Sequence, residues 1–396
     1  MKFQIMNNEY IFFIIITAIL IVYTLFAKRI HQFSITGPMF MFFSGIIYSV
    51  LVNETDNIEI TSFQIYIELT LALILFSDAA KIKIAVLTHS YVYPLRLLLI
   101  GLPLTFCLGT LLGMWIFPEL PYFQLALLSI VLTPTDAALS NSFIENKNIP
   151  IVMREAVNVE SGLNDGLTVP IFLLLLYSVI NQQTPDLSKT VEITIKEIGI
   201  AVLIAVFFTP LIFKVVLFSE KHRLYNKDNE VFICVAIAIL IYLFTQFLGG
   251  SGFFAAFIAG LLFDIKFKSA FKPQRLNNAS ALANTCALII WFVFAIFAFS
   301  YLRNGIALDA IIYSLLSLTL VRIIPVLISL MFTKLLIHQR IILAWFGPRG
   351  LASVVFTLIL IQGVTDVSES TIDSAILTII LSVIFHGLSS KVSLKK

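Results

Sequence analysis

Residues 156–170 read AVNVESGLNDGLTVP and run directly into IFLLLLYSVI, residues 171–180. Glu160, Ser161, Asn164 and Asp165 thus stand within about a turn and a half of helix, at the head of a strongly apolar run. Composition decides whether this is a polar loop or a charged stretch inside a membrane. Of 396 residues, 59% are apolar and 12% charged, against about 45–50% and about 25% in soluble domains. Mean hydropathy is +0.99. The arithmetic leaves no room for a soluble catalytic domain and points to an all-α polytopic membrane protein. A net charge of +3 is too small and dispersed for a nucleic-acid surface, so no nucleic-acid partner is expected.

Working outward, apolar runs bounded by charged or turn-forming residues give about 13 spans near the 17–25 residues that cross a bilayer. They centre on 10–27, 36–52, 63–80, 94–116, 123–142, 151–180, 190–218, 229–247, 252–264, 281–301, 307–336, 340–362 and 372–390. The first apolar run, Tyr10 to Phe26, has its positive charges Lys28 and Arg29 behind it, the order of a retained helix and not of a signal peptide. Cys107, Cys234 and Cys286 all lie in apolar stretches without CxxC spacing, which favours packing over disulfide or zinc chemistry.

Basic residues fall on alternate loops. Twenty lie on one set, from Lys28 and Arg29 through Lys81, Lys83, Arg96 and Lys147 to Lys391, Lys395 and Lys396. Only Lys2, Lys189, Lys196 and Arg303 lie on the other, which also holds Glu54, Asp56, Glu59, Asp366, Glu369 and Asp373. The positive-inside rule then gives N-out, C-in topology. Arg322 and Arg349 remain, inside spans, with Asp78, Asp136, Glu160 and Asp165. At about 2.5–3.5 kcal/mol each near mid-bilayer, such charges persist only if they pair or take part in function.

Three of these positions carry helix-breaking signals or ligand chemistry. In LLSIVLTPTDAALSNSF, residues 127–143, Pro134 removes an amide donor beside Asp136, opening backbone carbonyls that can meet a cation. In residues 342–360, ILAWFGPRGLASVVFTLIL, Gly347, Pro348 and Gly350 surround Arg349 and mark a second interruption. Paired breaks in the two halves of a chain point to a transporter built from inverted repeats with its site near the midplane. In the 156–170 segment, Ser161 and Asp165 share one helix face and offer hard oxygen ligands. Glu160 and Asn164, on the adjacent face, can meet an arginine.

The runs LILFSDAAKI, LTPTDAAL, NVESGLNDGLTVPI and WFGPRGLAS, in that order and at those separations, resemble the NhaP-type sodium/proton antiporters of the monovalent cation:proton antiporter-1 family. The similarity covers essentially the whole chain. It implies a thirteen-helix, NhaA-like inverted-repeat fold with two discontinuous crossing helices, in a homodimer of a prokaryotic inner membrane. Scaffold and dimer helices would span about 10–80 and 229–301, core transport helices about 94–180 and 307–390, and a linker helix about 190–218. The resemblance further implies a monovalent cation held by Asp165, Asp136, Ser161 and the Thr135 backbone oxygen, with Asp165 alternately binding cation and proton. Asp78 matches a third-helix acid near the cytoplasmic mouth; a helix-end charge balanced by Lys81 and Lys83 is the competing reading. Asn164 stands where electrogenic relatives carry a second aspartate, implying electroneutral one-for-one exchange. Glu160 and Arg349 match a structural ion pair, with Arg322 as the alternative partner. The chain departs from the family in having AIFAF, residues 295–299, where a glycine usually follows the tenth-helix WFxF. No long tail follows Lys396, so no appended regulatory domain is expected in this chain.

No cofactor is expected beyond the transported Na+, or Li+ or K+, and H+. A potassium/proton antiporter of the same fold is the nearest rival. A channel would need a continuous pore, which broken helices and buried ionisable groups do not suggest. An intramembrane aspartyl protease would need a YD partner motif and both glycines of GxGD, which this sequence lacks. A serine protease would need a nucleophile motif and a histidine within a span. His386 in FHGLSS is the one histidine so placed, and its position near the basic C-terminus suits an interfacial or capping role.

Overall fold

A computed structural model describes residues 2–33, 35–52, 63–82, 91–136, 139–144, 149–180, 187–224, 230–267, 273–303, 305–363 and 367–389. Fourteen helices and a single turn, Asn141–Ile144, lie among them. They are α1 (Lys2–Gln32), α2 (Gly37–Val52), α3 (Gln64–Lys81), α4 (Val92–Ile116), α5 (Tyr122–Val131), α6 (Ile151–Ile180) and α7 (Leu187–Lys221). The second half holds α8 (Glu230–Phe247), α9 (Gly252–Phe267), α10 (Pro273–Leu302), α11 (Leu308–Ser329), α12 (Ile337–Trp345), α13 (Leu351–Gly363) and α14 (Glu369–Ser389).

Seven of these helices are long and apolar enough to cross a membrane, and five more are shorter and apolar. The chain is an all-helical, multi-pass membrane protein. Each expected span contains helix, but two differ from continuous rods. The fifth stops at Val131, since Pro134 has no N–H to continue the ladder. The twelfth divides into α12 and α13 around Pro348. Much of the basic-loop pattern, including Lys83, Lys147, Lys227, Lys268, Lys272 and the C-terminal lysines, lies outside the described residues, as do Glu54, Asp56, Glu59 and Asp366.

Irregular turns follow the prolines and polar breaks. In α4 the chain widens to a π-turn over Leu97–Gly101 just before Pro103, the Leu102 N–H reaching back to the Leu97 carbonyl. In α11 the backbone leaves helical geometry at Thr319 (φ −104°, ψ −85°). Such breaks are tolerated at membrane depth where neighbouring helices or side chains take up the freed polar groups.

Helix α9 packs on α3 and α7, α10 on α2 and α3, α11 on α14 and α4, and α5 on α4 and α6. The AIFAF departure finds its explanation on the partner helix. A Cβ on Gly45 of α2 would meet the Phe292 carbonyl and the Ala295 Cβ of α10 at 2.6 and 2.7 Å. Close approach therefore rests on a glycine in α2, and Ala295 fits because Gly45 has no side chain. Stacked rings join the elements around the breaks: Phe143 with Phe346 at 4.5 Å and Phe172 of α6 with Phe356 of α13 at 4.1 Å.

Candidate functional site

The two interruptions, Thr133–Asp136 and Phe346–Gly350, are tied to each other by hydrogen bonds in both directions. The Asp136 N–H donates to the Pro348 carbonyl at 2.9 Å, while Arg349 Nη1 donates to the Thr133 carbonyl at 3.1 Å. Asp136 Oδ2 accepts the Leu351 N–H at 3.3 Å, so this carboxylate caps the first turn of α13, where helix N–H groups lack internal partners. Its negative charge also faces the positive end of the α13 dipole. After a proline kink, an aspartate ordinarily caps the helix that follows it in sequence. The structure has Asp136 capping a helix of the other half.

Arg349 is 1% exposed. Its guanidinium donates to the Thr133 and Ser317 carbonyls at 3.1 and 3.3 Å. Thr133 follows the end of α5, and Ser317 lies just before the kink in α11. Carbonyls at helix C-terminal ends carry the negative end of the dipole and suit a cation. Of the two partners the sequence leaves open for Glu160, the structure has Arg322 and not the family-implied Arg349. Glu160 of α6 accepts Arg322 Nη1 and Nη2 at 2.7 and 3.0 Å, a bidentate pair with both residues 3% exposed. Arg322 reaches Glu160 from the second half of α11, whereas carbonyl dipoles already satisfy much of Arg349.

On α6, Thr135 meets two side chains one turn apart. Asn164 Nδ2 donates to Thr135 Oγ1 at 2.7 Å, and Ser161 Oγ lies 3.2 Å from the same atom. The sequence pairs Asn164 with Glu160 on a face that can meet an arginine; among the described residues its amide contact is Thr135 instead. The reason is helical: at 100° per residue, Asn164 points between Glu160 and Ser161, close enough to either face. It is the Thr135 hydroxyl that makes these contacts, where the family resemblance implies a role for the backbone oxygen.

Asp165 Oδ1 and Asn164 Oδ1 are shielded from solvent and, among the described residues, have no hydrogen-bond donor. Such acceptors are costly to leave unsatisfied, the more so when one belongs to a carboxylate. The Phe257 ring of α9 lies directly over Gly166, one residue beyond Asp165. The structure thus joins Thr135, Ser161 and Asn164 in one polar cluster, with Asp165 the next residue along α6 and Asp136 at the adjoining crossing. Asp78 is engaged elsewhere: its Oδ1 accepts Lys81 Nζ at 3.3 Å, both side chains being 39% exposed. That matches the helix-end reading as far as Lys81; Lys83 lies outside the described residues.

Ser317 and Ser382 also serve the crossing and were not expected to; His386, for which an interfacial or capping role is expected, is not interfacial but 2% exposed, with Nε2 2.9 Å from the Trp345 carbonyl at the end of α12. Ser382 Oγ accepts the Arg349 N–H at 2.7 Å. The one sequence signal was the run of small hydroxyl residues on apolar α14, Ser374, Thr378 and Ser382, spaced i, i+4 on one face.

A Cβ built on Gly350 would run into the Asp136 side chain at its own Cβ, an atom fixed to the backbone. Gly350→Ala is therefore expected to displace Asp136 from the α13 cap and to lower the melting temperature in detergent. Gly199→Ala is the control, since nothing lies within 4 Å of its added Cβ, and it should leave the melting temperature unchanged. An unchanged melting temperature in the Gly350 variant would contradict the crossing geometry.

Residues 15–396 match the family described as sodium/hydrogen exchanger, transmembrane. Among relatives, the K(+)/H(+) antiporter NhaP2 of Shewanella sp. (strain MR-4) is 21% identical over 325 residues, 81% of this chain and 55% of that one. The Na(+)/H(+) antiporter of Saccharomyces cerevisiae is 24% identical over 271 residues, 64% of this chain and 27% of that one. The chain spans about half the length of the Shewanella relatives it matches. Its fold is similar to that of the sodium proton antiporter MjNhaP1 from Methanocaldococcus jannaschii at pH 8, with a TM-score of 0.77, 20% identity and coverage of 98% of this chain and 100% of that one. With a family match over nearly its whole length, and the polar cluster formed where its PTD, ESGLND and GPRG motifs meet, the chain belongs to the sodium/hydrogen exchanger family, a family of transporters and not of enzymes.

Proposed function

We propose that this protein is a secondary active antiporter that exchanges Na+ for H+ one for one, with cation and proton competing for Asp165. The observation that carries this reading is the buried Asp165 Oδ1, which has no donor among the described residues, one residue on from Asn164, whose Oδ1 likewise has none there. A carboxylate so placed calls for a positive partner, and either a proton on its own oxygen or a small cation shared with Ser161, Thr135 and Asp136 meets that need. One occupant excludes the other, so each transit of the site carries one charge of either kind. Asn164 is neutral and the Glu160–Arg322 pair balances itself, leaving Asp165 as the group whose charge changes.

Alternating access follows in this reading from movement of a core, about 94–180 and 307–390, against a scaffold, about 10–80 and 229–301, with about 190–218 as linker. Phe257 over Gly166 sits where α9 of the scaffold would slide past α6 of the core. The protein would work as a homodimer in a prokaryotic inner membrane, N-out and C-in.

Potassium/proton exchange is the second reading, favoured by the potassium-specific names of the Shewanella relatives. Hard oxygen ligands differ between the two ions in cavity size more than in kind. The test is proton flux in proteoliposomes driven by Na+, Li+ or K+ from neutral to alkaline pH, with the membrane potential clamped by valinomycin and potassium during the Na+ runs. Saturable Na+-driven flux insensitive to the clamp is expected. Flux driven by K+ alone would select the second reading, and clear voltage dependence would reject one-for-one exchange.

A further inference from the structure

The second break is gripped on both sides by side chains one turn apart on α14. On the near side, His386 Nε2 lies 2.9 Å from the Trp345 carbonyl, at the last residue of α12. On the far side, the Arg349 N–H donates to Ser382 Oγ at 2.7 Å. Ser382 and His386 are themselves in contact: the serine Oγ is 3.2 Å and its carbonyl 2.8 Å from His386 Nδ1. The imidazole is 2% exposed and Ser382 is fully buried. Trp345 is held a second time, its indole Nε1 donating to Ser389 Oγ at 2.9 Å, with the Ser389 hydroxyl returning to the His386 carbonyl at 3.3 Å.

A carbonyl only accepts, so Nε2 must carry a hydrogen to bond to Trp345. Ser382 Oγ takes the Arg349 amide on one lone pair and keeps its own hydrogen for the imidazole. With the hydrogen on Nε2, the chain of donors runs Arg349 N–H to Ser382 O–H to His386 Nδ1, and Nε2–H to Trp345; in that tautomer Nδ1 makes no hydrogen bond to the Ser382 carbonyl, which only a ring carrying a hydrogen on Nδ1 would do. The four residues from Phe346 to Arg349 are therefore spanned by one side-chain bridge. It sets the distance between the two backbone ends that flank Gly347 and Pro348.

That distance matters because the same loop holds the first break. Pro348 offers the carbonyl that receives the Asp136 N–H, and Leu351 offers the N–H that binds the Asp136 carboxylate. We propose that His386, acting through Ser382, is a positioning residue that fixes the spacing of the α12–α13 interruption and thereby the placement of Asp136 beside the ion site. The inference rests on the proposed cation site, and its effect falls on cation affinity before turnover.

The variants are His386→Leu, which removes both ring nitrogens; His386→Gln, which can offer an amide donor to Trp345 and an oxygen toward Ser382; and Ser382→Ala, a small change on the same bridge. Two readouts are used on full-length protein. The first is amide hydrogen exchange over residues 345–351, which needs no cation. His386→Leu and Ser382→Ala should exchange faster there than wild type, and His386→Gln should not. The second is the Na+ concentration giving half-maximal flux, with thermal stabilisation by Na+ as a transport-free measure of binding. It should rise about tenfold in the leucine and alanine variants, the scale of one buried hydrogen bond left unmade, with maximal flux changed less than about twofold and recovery in the glutamine variant.

Unchanged exchange protection and unchanged half-saturation in Ser382→Ala would overturn the proposal, and this variant decides the matter if His386→Leu does not fold. A loss of maximal flux in proportion to folded protein, equal in the leucine and glutamine variants, would also overturn it by reducing His386 to packing. If wild type shows the protection pattern but no Na+ stabilisation, it is the cation reading that fails, while the bridge stands.

Discussion

Asp165→Asn is expected to lower cation-driven proton flux to the leak of protein-free liposomes. The amide keeps the size of the side chain and its place on α6, but it neither binds a proton at working pH nor carries the charge that draws a cation into a low-dielectric site. Because the change is nearly isosteric, the variant should remain folded and monodisperse, and Na+ should no longer raise its melting temperature. Asp165→Glu restores the charge one methylene further out and is expected to regain binding with altered selectivity before it regains rate. Exchange at wild-type rate in Asp165→Asn would remove this residue from the centre of the mechanism. Flux lost without loss of Na+ stabilisation would assign the cation to Asp136 and leave Asp165 the proton alone.

The second large effect concerns the Glu160–Arg322 pair. With both partners 3% exposed and two hydrogen bonds between them, removing either leaves an uncompensated buried charge, at a cost of about 3–5 kcal/mol. Glu160→Gln and Arg322→Met should each depress the melting temperature in detergent and the yield from membranes. Arg349→Met should not mimic them through Glu160, because its guanidinium is held by carbonyls. The exchanged pair, Glu160→Arg with Arg322→Glu, should recover part of the stability lost in either single change. Recovery with Arg349→Glu in place of Arg322→Glu would reassign the pair.

Both breaks were legible because proline writes a missing donor into the covalent chain, and Pro134 and Pro348 need no tertiary knowledge to interpret. The ligand cluster was legible because four polar side chains in six residues cannot sit in an apolar span without a use. What the sequence could not resolve was rotation and reach between helices. Arg322 and Arg349 carry equal charge in spans that both approach α6, and which one meets Glu160 depends on how far α11 turns at Thr319. Ser382 was hidden for a different reason. A serine within an apolar helix ordinarily bonds back to its own preceding turn, as Thr378 does to the Ser374 carbonyl at 2.6 Å, so nothing in the residue type announces a bond to another helix. Asn164 illustrates a third limit, since helical angles place it between two faces and only a neighbour, here Thr135, decides which it joins.

The reciprocal ties between the breaks, Asp136 to Pro348 and Arg349 to Thr133, mean that neither interrupted helix can be redrawn alone. A substitution that shifts one loop forces the other to follow, so tolerated changes at 133–136 and 346–350 should occur in matched sets. The same ties order the chain before any ion arrives. An entering cation then loses its hydration shell but freezes little backbone, so selectivity should be governed by dehydration against a nearly rigid frame, and discrimination among ions should sharpen, not blur, as temperature falls.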